Sequence, residues 1–129
     1  MATLPSTFTV TQFWVFDDVP GVVETKVGYT GGTNPSPSYG SVCRGDGHTE
    51  AVRVEYDPKE VSYQELLEKY WDQYVGPAAK CQYRSAIWVS DGEQKRLAEE
   101  SVRQADASGR YEPLPVRVPV EPMKSWHDA

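Results

Sequence analysis

Apolar and polar residues alternate along several short runs of the chain, a pattern typical of β-strands. The runs predict strands over residues 8–10, 22–29, 51–56 and 85–89. Val116, Val118 and Val120 alternate as a final strand, flanked by prolines. Because proline cannot donate to a sheet ladder, this strand is expected at an edge.

Other segments carry the spacing and end signals of helices. A short helix is expected over residues 13–19, ending before a Pro-Gly pair. Ser62 and Glu65 form a capping box, and so do Ser90 and Glu93, which predicts two longer helices. The first presents an apolar face of Leu66, Leu67, Tyr70 and Trp71. The second is expected to run to about residue 107, because Gly109 suits a helix end.

The resulting order of elements is strand, helix, strand, strand, helix, strand, helix, strand. This order predicts an α+β fold with two layers, in which helices cover a mostly antiparallel sheet. A Gly/Pro/Ser-rich stretch over residues 28–47 is expected to be a long ordered loop. We expect this loop to be functional, since Tyr39, Cys43, His48 and Glu50 lie at or just beyond its end.

Size and charge exclude several classes of function. With 129 residues the chain is expected to form one domain over residues 1–129. A net charge of −6 argues against nucleic-acid binding. No apolar run is long enough to span a membrane, and no signal peptide is visible, so the cytoplasm is the expected compartment. Two cysteines and two histidines at wide spacing predict neither a disulfide framework nor a metal site. No cofactor is expected, and the oligomeric state stays open.

Six sequence blocks together resemble the peptide methionine sulfoxide reductase A family. The blocks are PGVV at 20–23, VGYTGG at 27–32, PSY and VC at 37–39 and 42–43, GHTEAV at 47–52, YDP at 56–58 and QYRSAI at 82–87. They occur in the family's order, and their combination is highly specific. The resemblance implies a ferredoxin-like two-layer α/β plait. It also implies that residues 122–129 correspond to the start of the family's C-terminal segment, cut short.

The resemblance also implies roles for individual residues. In the family, the cysteine of a Gly-Cys-Phe-Trp motif attacks the sulfoxide sulfur, and the two aromatic residues hold the substrate methyl group. Here Phe13 and Trp14 match those aromatic residues, but Gln12 stands at the position of the cysteine. The residues that match the family's binding and protonation site for the sulfoxide oxygen are Tyr39, Glu50 and Tyr83.

The glutamine leads to three alternative hypotheses, because an amide has no ionisable nucleophile and cannot form a sulfenic acid. The first is an enzyme repurposed for non-redox acid/base chemistry, such as cyclisation, isomerisation, elimination or condensation, on a small, partly apolar or aromatic substrate in specialised metabolism. The second is a methionine-S-sulfoxide reductase that uses Cys81 and an external thiol. The third is a module that binds a ligand similar to methionine sulfoxide without turnover. The first is the preferred expectation.

Several of the matched residues admit two interpretations. Gln12 either orients a polar substrate or fills space. Cys81 lies two residues before Tyr83, so on a strand both would share a face, and it is the candidate replacement nucleophile. Cys43 is expected to be buried and structural. His48 is expected to pack or to form hydrogen bonds rather than to catalyse.

Overall fold

A six-stranded sheet with three helices makes up the described part of the chain. The computed structural model describes residues 6–11, 16–74, 85–113 and 116–129. The strands are β1 (Ser6–Thr11), β2 (Val22–Thr30), β3 (Thr49–Tyr56), β4 (Ile87–Val89), β5 (Val120–Pro122) and β6 (His127–Asp128). The helices are α1 (Tyr39–Cys43), α2 (Tyr63–Gln73) and α3 (Gly92–Ala107).

The order of strands across the sheet is β5-β4-β1-β3-β2-β6. The four central strands pair antiparallel, whereas β5 returns parallel to β4 after α3. Two long helices, α2 and α3, belong to one layer beside this sheet. The predicted α+β plait is therefore confirmed, with a mostly antiparallel sheet.

Helix α2 begins and buries its residues as its sequence predicts. The hydroxyl of Ser62 accepts a hydrogen bond from the backbone N–H of Glu65 at 3.0 Å, which satisfies one of the orphan donors of the first turn. The predicted apolar face is buried against the core, with Leu66 and Tyr70 at 0% exposure. The apolar spacing and the capping signal predict the same helix here, because α2 is long enough to present one continuous apolar stripe.

Helix α3 begins one residue later than its predicted capping box. Asp91 is the N-cap residue, and its carboxylate accepts from the N–H of Gln94 at 2.8 Å. The side chain of Gln94 in turn accepts from the N–H of Ser90 at 2.9 Å. The cap is thus shifted by one residue, since Asp caps a helix as well as Ser does, and Gln94 bonds the residue before the cap instead of completing a capping box.

The last strand and the first helix differ from their predictions. The strand expected from residue 116 begins only at Val120, although β5 does lie at a sheet edge as predicted. Before β5, only the carbonyl of Pro119 joins the ladder, by accepting from Ile87 N–H at 3.0 Å. Residues 13–15 of the expected first helix lie outside the described residues, and residues 16–21 form turns.

A C-terminal strap, residues 123–129, covers the sheet face opposite the helices. The chain leaves β5 at one edge and forms β6 at the other edge, so the strap crosses the sheet between them. Met123 and Trp126 of the strap pack against a small apolar cluster of Ala51, Ala86 and Trp88. The main core, which includes Phe8, Val10 and Val54, lies on the helix face.

The strap is held by β2 at close range. A Cβ atom at Gly28 would lie 2.4 Å from Cζ2 of Trp126, so only glycine admits the indole ring there. Thr30 donates its hydroxyl hydrogen to the carbonyl of Ser125. The guanidinium of Arg53 on β3 lies 4.9 Å from the centroid of the Trp126 ring. These contacts fix the end of β2, where the candidate site begins.

Candidate functional site

Glu50, a residue of the predicted site, lies near the start of β3, directly opposite Tyr29 of β2. The two residues are Cα partners of the antiparallel ladder, one step from its last pair, Thr30 and Thr49. Because side chains alternate along a strand, Glu50 shares the helix face of the sheet with Val52 and Val54. Glu50 is half-buried, whereas the Tyr29 side chain is 6% exposed. A carboxylate and a phenol therefore meet at this end of the sheet.

The surroundings of Tyr29 keep its phenol protonated. Burial raises the pKa of Tyr29, and negative charge on Glu50 and then on Cys43 raises the pKa further. The Tyr29 phenol is therefore a hydrogen-bond donor at physiological pH. The Glu50 carboxyl group beside it accepts hydrogen bonds when it is ionised. This pairing can bind and protonate an oxygen atom of a substrate, the chemistry that the resemblance implies for Glu50.

Cys43, the last residue of α1, is exposed, and its predicted burial is wrong. Val42 occupies the buried position of this helix. The next residue is rotated by about 100° around an α-helix, which points Cys43 outward. Its sulfur nevertheless belongs to the surroundings of the Tyr29 hydroxyl, because negative charge there would raise the pKa of Tyr29.

Tyr39, the first residue of α1, is 64% exposed. Its ring therefore presents a large surface to solvent rather than lining a closed pocket. Ser38 is the N-cap of this helix and forms a reciprocal capping box with Ser41. Helix α1 lies inside the predicted loop, so this loop contains one ordered turn of helix.

His48 anchors the loop from inside. Its side chain is 1% exposed. Its Nδ1 accepts from the N–H of Gly32 at 3.2 Å, and its Nε2 lies 2.8 Å from the carbonyl oxygen of Asn34. Since Nδ1 accepts, the ring hydrogen is on Nε2 and donates to Asn34. Both ring nitrogens of His48 therefore form hydrogen bonds within the loop, as predicted.

Asp46 is a second anchor of the loop. Its carboxylate accepts from the N–H of His48 at 2.9 Å, from Ser41 Oγ at 2.8 Å and from Asn34 Nδ2 at 3.1 Å. Burial favours a higher pKa for Asp46, but these hydrogen bonds outweigh burial and lower the pKa. The ionised carboxylate ties together both ends of the loop that precedes Glu50.

The remaining predicted site residues lie outside the described residues. They are Gln12, Phe13, Trp14, Cys81 and Tyr83. Thr11, the last residue of β1, pairs with Ala51, so β1 ends beside Glu50. The structure thus describes Glu50 and Tyr39 from the predicted set. It adds Tyr29, which the sequence places in a family block without indicating its partner.

An open groove of about 840 Å³ lies between α2 and α3. Its described walls include Leu67, Trp71 and Leu97 but neither Glu50 nor Tyr39. Two of its charged side chains, Arg110 and Asp72, pair with each other at 3.1 Å. Size alone does not make this groove the functional site, because a site also needs a few convergent polar groups suited to the chemistry.

The described ranges hold neither a metal-binding cluster nor a membrane-spanning helix. No group of three or more His, Cys, Asp and Glu side chains is arranged to hold a metal ion there. No helix in those ranges is both long and apolar enough to cross a membrane.

Comparison with known proteins identifies the family. The family pattern described as peptide methionine sulfoxide reductase matches residues 7–129. The chain belongs to the peptide methionine sulfoxide reductase family. It is 43% identical over 133 residues to the peptide methionine sulfoxide reductase MsrA of Methanoculleus marisnigri, covering 94% of this chain and 80% of that relative.

Solved structures of the family share the fold. Methionine sulfoxide reductase A of Corynebacterium diphtheriae matches with a TM-score of 0.79 and 31% identity, over 97% of this chain and 71% of that chain. Mxr1 from Saccharomyces cerevisiae in complex with Trx2 matches with a TM-score of 0.67 and 18% identity, over 98% of this chain and 81% of that chain. At that identity the yeast protein shows the fold alone.

These relatives contradict the preferred expectation of non-redox acid/base chemistry. The archaeal relative carries the name of a reductase and matches nearly the whole chain, as does the diphtherial structure. The expectation was wrong because it gave one position, residue 12, more weight than the rest of the family pattern. The comparisons favour the alternative of a methionine sulfoxide reductase.

Proposed function

We propose that this chain reduces methionine-S-sulfoxide to methionine, with one of its own cysteine thiols as nucleophile and an external thiol as reductant. The observation that supports this most is the similarity to reductases over nearly the whole chain. In addition, Glu50 lies next to the end of β1, near the last residue pair between β2 and β3. That end of the sheet combines a half-buried carboxylate with a protonated phenol.

The reaction balances with thiols alone. The cysteine thiolate attacks the sulfoxide sulfur, a carboxyl proton passes to the sulfoxide oxygen, and the oxygen is transferred to the cysteine. Methionine leaves as the reduced thioether, and the cysteine is oxidised to a sulfenic acid. A first external thiol condenses with the sulfenic acid and releases water. A second external thiol then breaks the mixed disulfide, which restores the cysteine and leaves an external disulfide.

Cys81 is the proposed nucleophile. The chain has two cysteines, and Cys81 lies two residues before Tyr83, which matches the family's site for the sulfoxide oxygen. Cys43 is exposed at the end of helix α1, which makes it the competing candidate that a test must separate.

The remaining roles follow the family resemblance. Glu50, Tyr39 and Tyr83 bind and protonate the sulfoxide oxygen. Phe13 and Trp14 hold the methyl group of the substrate, and Gln12 orients its polar part.

A protein dithiol is a suitable source of electrons in the cytoplasm, where reducing systems keep thiols reduced. The yeast protein Mxr1, which shares the fold, was solved in complex with Trx2. We therefore propose a small redox protein as partner, alongside the sulfoxide substrate.

Turnover with matched cysteine variants tests the proposal. The protein is incubated with methionine-S-sulfoxide and dithiothreitol, and methionine is measured by mass spectrometry, with the R-sulfoxide as stereochemical control. We expect methionine from the parent protein and from Cys43→Ser, and none from Cys81→Ser. Loss of activity in Cys43→Ser alone would reassign the nucleophile.

Two outcomes would contradict reductase function itself. One is full turnover in the double variant that lacks both cysteines. The other is calorimetric binding of the sulfoxide by the parent protein without any methionine, which would instead support a binding module.

A further inference from the structure

The buried phenol of Tyr29 lies on the same face of the sheet as the side chain of Glu50. Tyr29 and Glu50 are directly opposite partners in the β2–β3 ladder. Side chains of such pairs lie on one face, with Cβ atoms about 5 Å apart. The Tyr29 side chain is 6% exposed, whereas Glu50 is half-buried and reaches the surface. The phenol is thus buried, while the carboxyl group beside it is partly open to solvent.

The Tyr29 hydroxyl differs in its hydrogen bonding from the hydroxyl groups of two other buried tyrosines. Tyr111 donates its hydroxyl hydrogen to the carbonyl of Trp71 at 2.6 Å, and the hydroxyl of Tyr74 accepts from the N–H of Arg117 at 3.1 Å. Within the described ranges, by contrast, the Tyr29 hydroxyl forms no hydrogen bond. Hydrogen bonds that serve catalysis are often long before the substrate binds and tighten in the complex.

We propose that Tyr29 is a positioning residue of the reductase site: with sulfoxide bound, its hydroxyl donates to the Glu50 carboxyl group and holds that group toward the sulfoxide oxygen. This inference rests on the proposed function. Tyr29 acts through Glu50 and need not touch the substrate. The raised pKa of Tyr29 agrees with this role, because the phenol keeps its proton. The C-terminal strap supports the arrangement from the other side, since His127 pairs with Tyr29 along the backbone.

A double-mutant cycle tests this role. The variants are Tyr29→Phe, Glu50→Gln and the double substitution, assayed by methionine formation with dithiothreitol. We expect Tyr29→Phe to lower kcat by up to about ten-fold, the effect of losing one hydrogen bond between neutral groups, with little change in KM. In the Glu50→Gln background the same substitution should have no further effect, because residues acting as one unit are not additive.

Tyr63→Phe is the matched control. Tyr63 is also 6% exposed, and its hydroxyl has no hydrogen-bond partner within the described part of the chain. Removing that hydroxyl should leave kcat unchanged. Melting temperatures of all variants separate a catalytic effect from a loss of folded protein.

Three results would overturn the inference while leaving the reductase proposal intact, provided that the parent protein is active. The first is an unchanged kcat in Tyr29→Phe. The second is an equal decrease of kcat on Tyr29→Phe in the parent and in the Glu50→Gln variant. The third is a decrease of kcat that is matched by a lower melting temperature. An inactive parent protein would overturn both.

Discussion

Replacing Trp126 by alanine should destabilise the protein through loss of the C-terminal strap. The indole packs against Gly28 and the cluster on the open sheet face, and Arg53 stacks on its ring. Its Nε1–H also donates to Asp128 at 2.7 Å. About 100 Å² of apolar surface at 25 cal/mol per Å² gives roughly 2.5 kcal/mol. The cation–π contact and the exposed hydrogen bond each add about 0.5 kcal/mol.

We therefore expect the free energy of unfolding to fall by about 3.5 kcal/mol and the melting temperature by about 13 °C, given the usual unfolding entropy per residue. Thermal unfolding followed by circular dichroism measures both quantities. Val23→Ala is the control. Val23 lies on β2, the strand that Trp126 packs against at Gly28, and it is 66% exposed. Such surface substitutions change the free energy of unfolding by no more than about 0.5 kcal/mol. A Trp126→Ala melting temperature within 2 °C of the parent would show that the strap does not stabilise the sheet.

Three further predictions address other contacts. Gly28→Ala should lower the melting temperature, because its Cβ would meet the Trp126 ring at 2.4 Å; a Gly28→Ala/Trp126→Ala double variant that is less stable than the sum of the singles would contradict this reason. Ser62→Ala should cost about 1 kcal/mol in urea unfolding by removing the cap of α2, and an unchanged midpoint would refute it. Since the pKa of Asp46 is lowered in the fold, its ionised form stabilises the protein above about pH 4. The stability gap between the parent and Asp46→Asn should be constant at neutral pH and shrink as the pH falls below about 4; a gap that widens with acid would contradict the sign.

The sequence predicts those elements whose signals are local. Helix α2 combines a capping residue with an apolar stripe over three turns, so its position follows from residues near each other in the chain. Helix α1 has five residues within a Gly/Pro/Ser-rich stretch, too short for any periodicity to be visible. Strand β6 has two residues, and it exists only because the strap reaches β2.

In the candidate site, too, residues in a recognisable sequence block could be predicted, whereas features that depend on the folded arrangement could not. The family resemblance singles out Glu50 because that residue lies in a recognisable block. The role of Tyr29 depends on the register between β2 and β3, which the sequence does not state. The exposure of Cys43 likewise depends on which side of α1 meets the core.

A single turnover without external thiol tests the proposed function most directly. The protein is mixed with methionine-S-sulfoxide and a reagent that traps sulfenic acids, and both methionine and labelled peptides are measured by mass spectrometry. We predict one methionine per chain and a label on the peptide that contains Cys81. Absence of methionine, or methionine formed while both cysteines stay unlabelled and reduced, would contradict a thiol-based reductase.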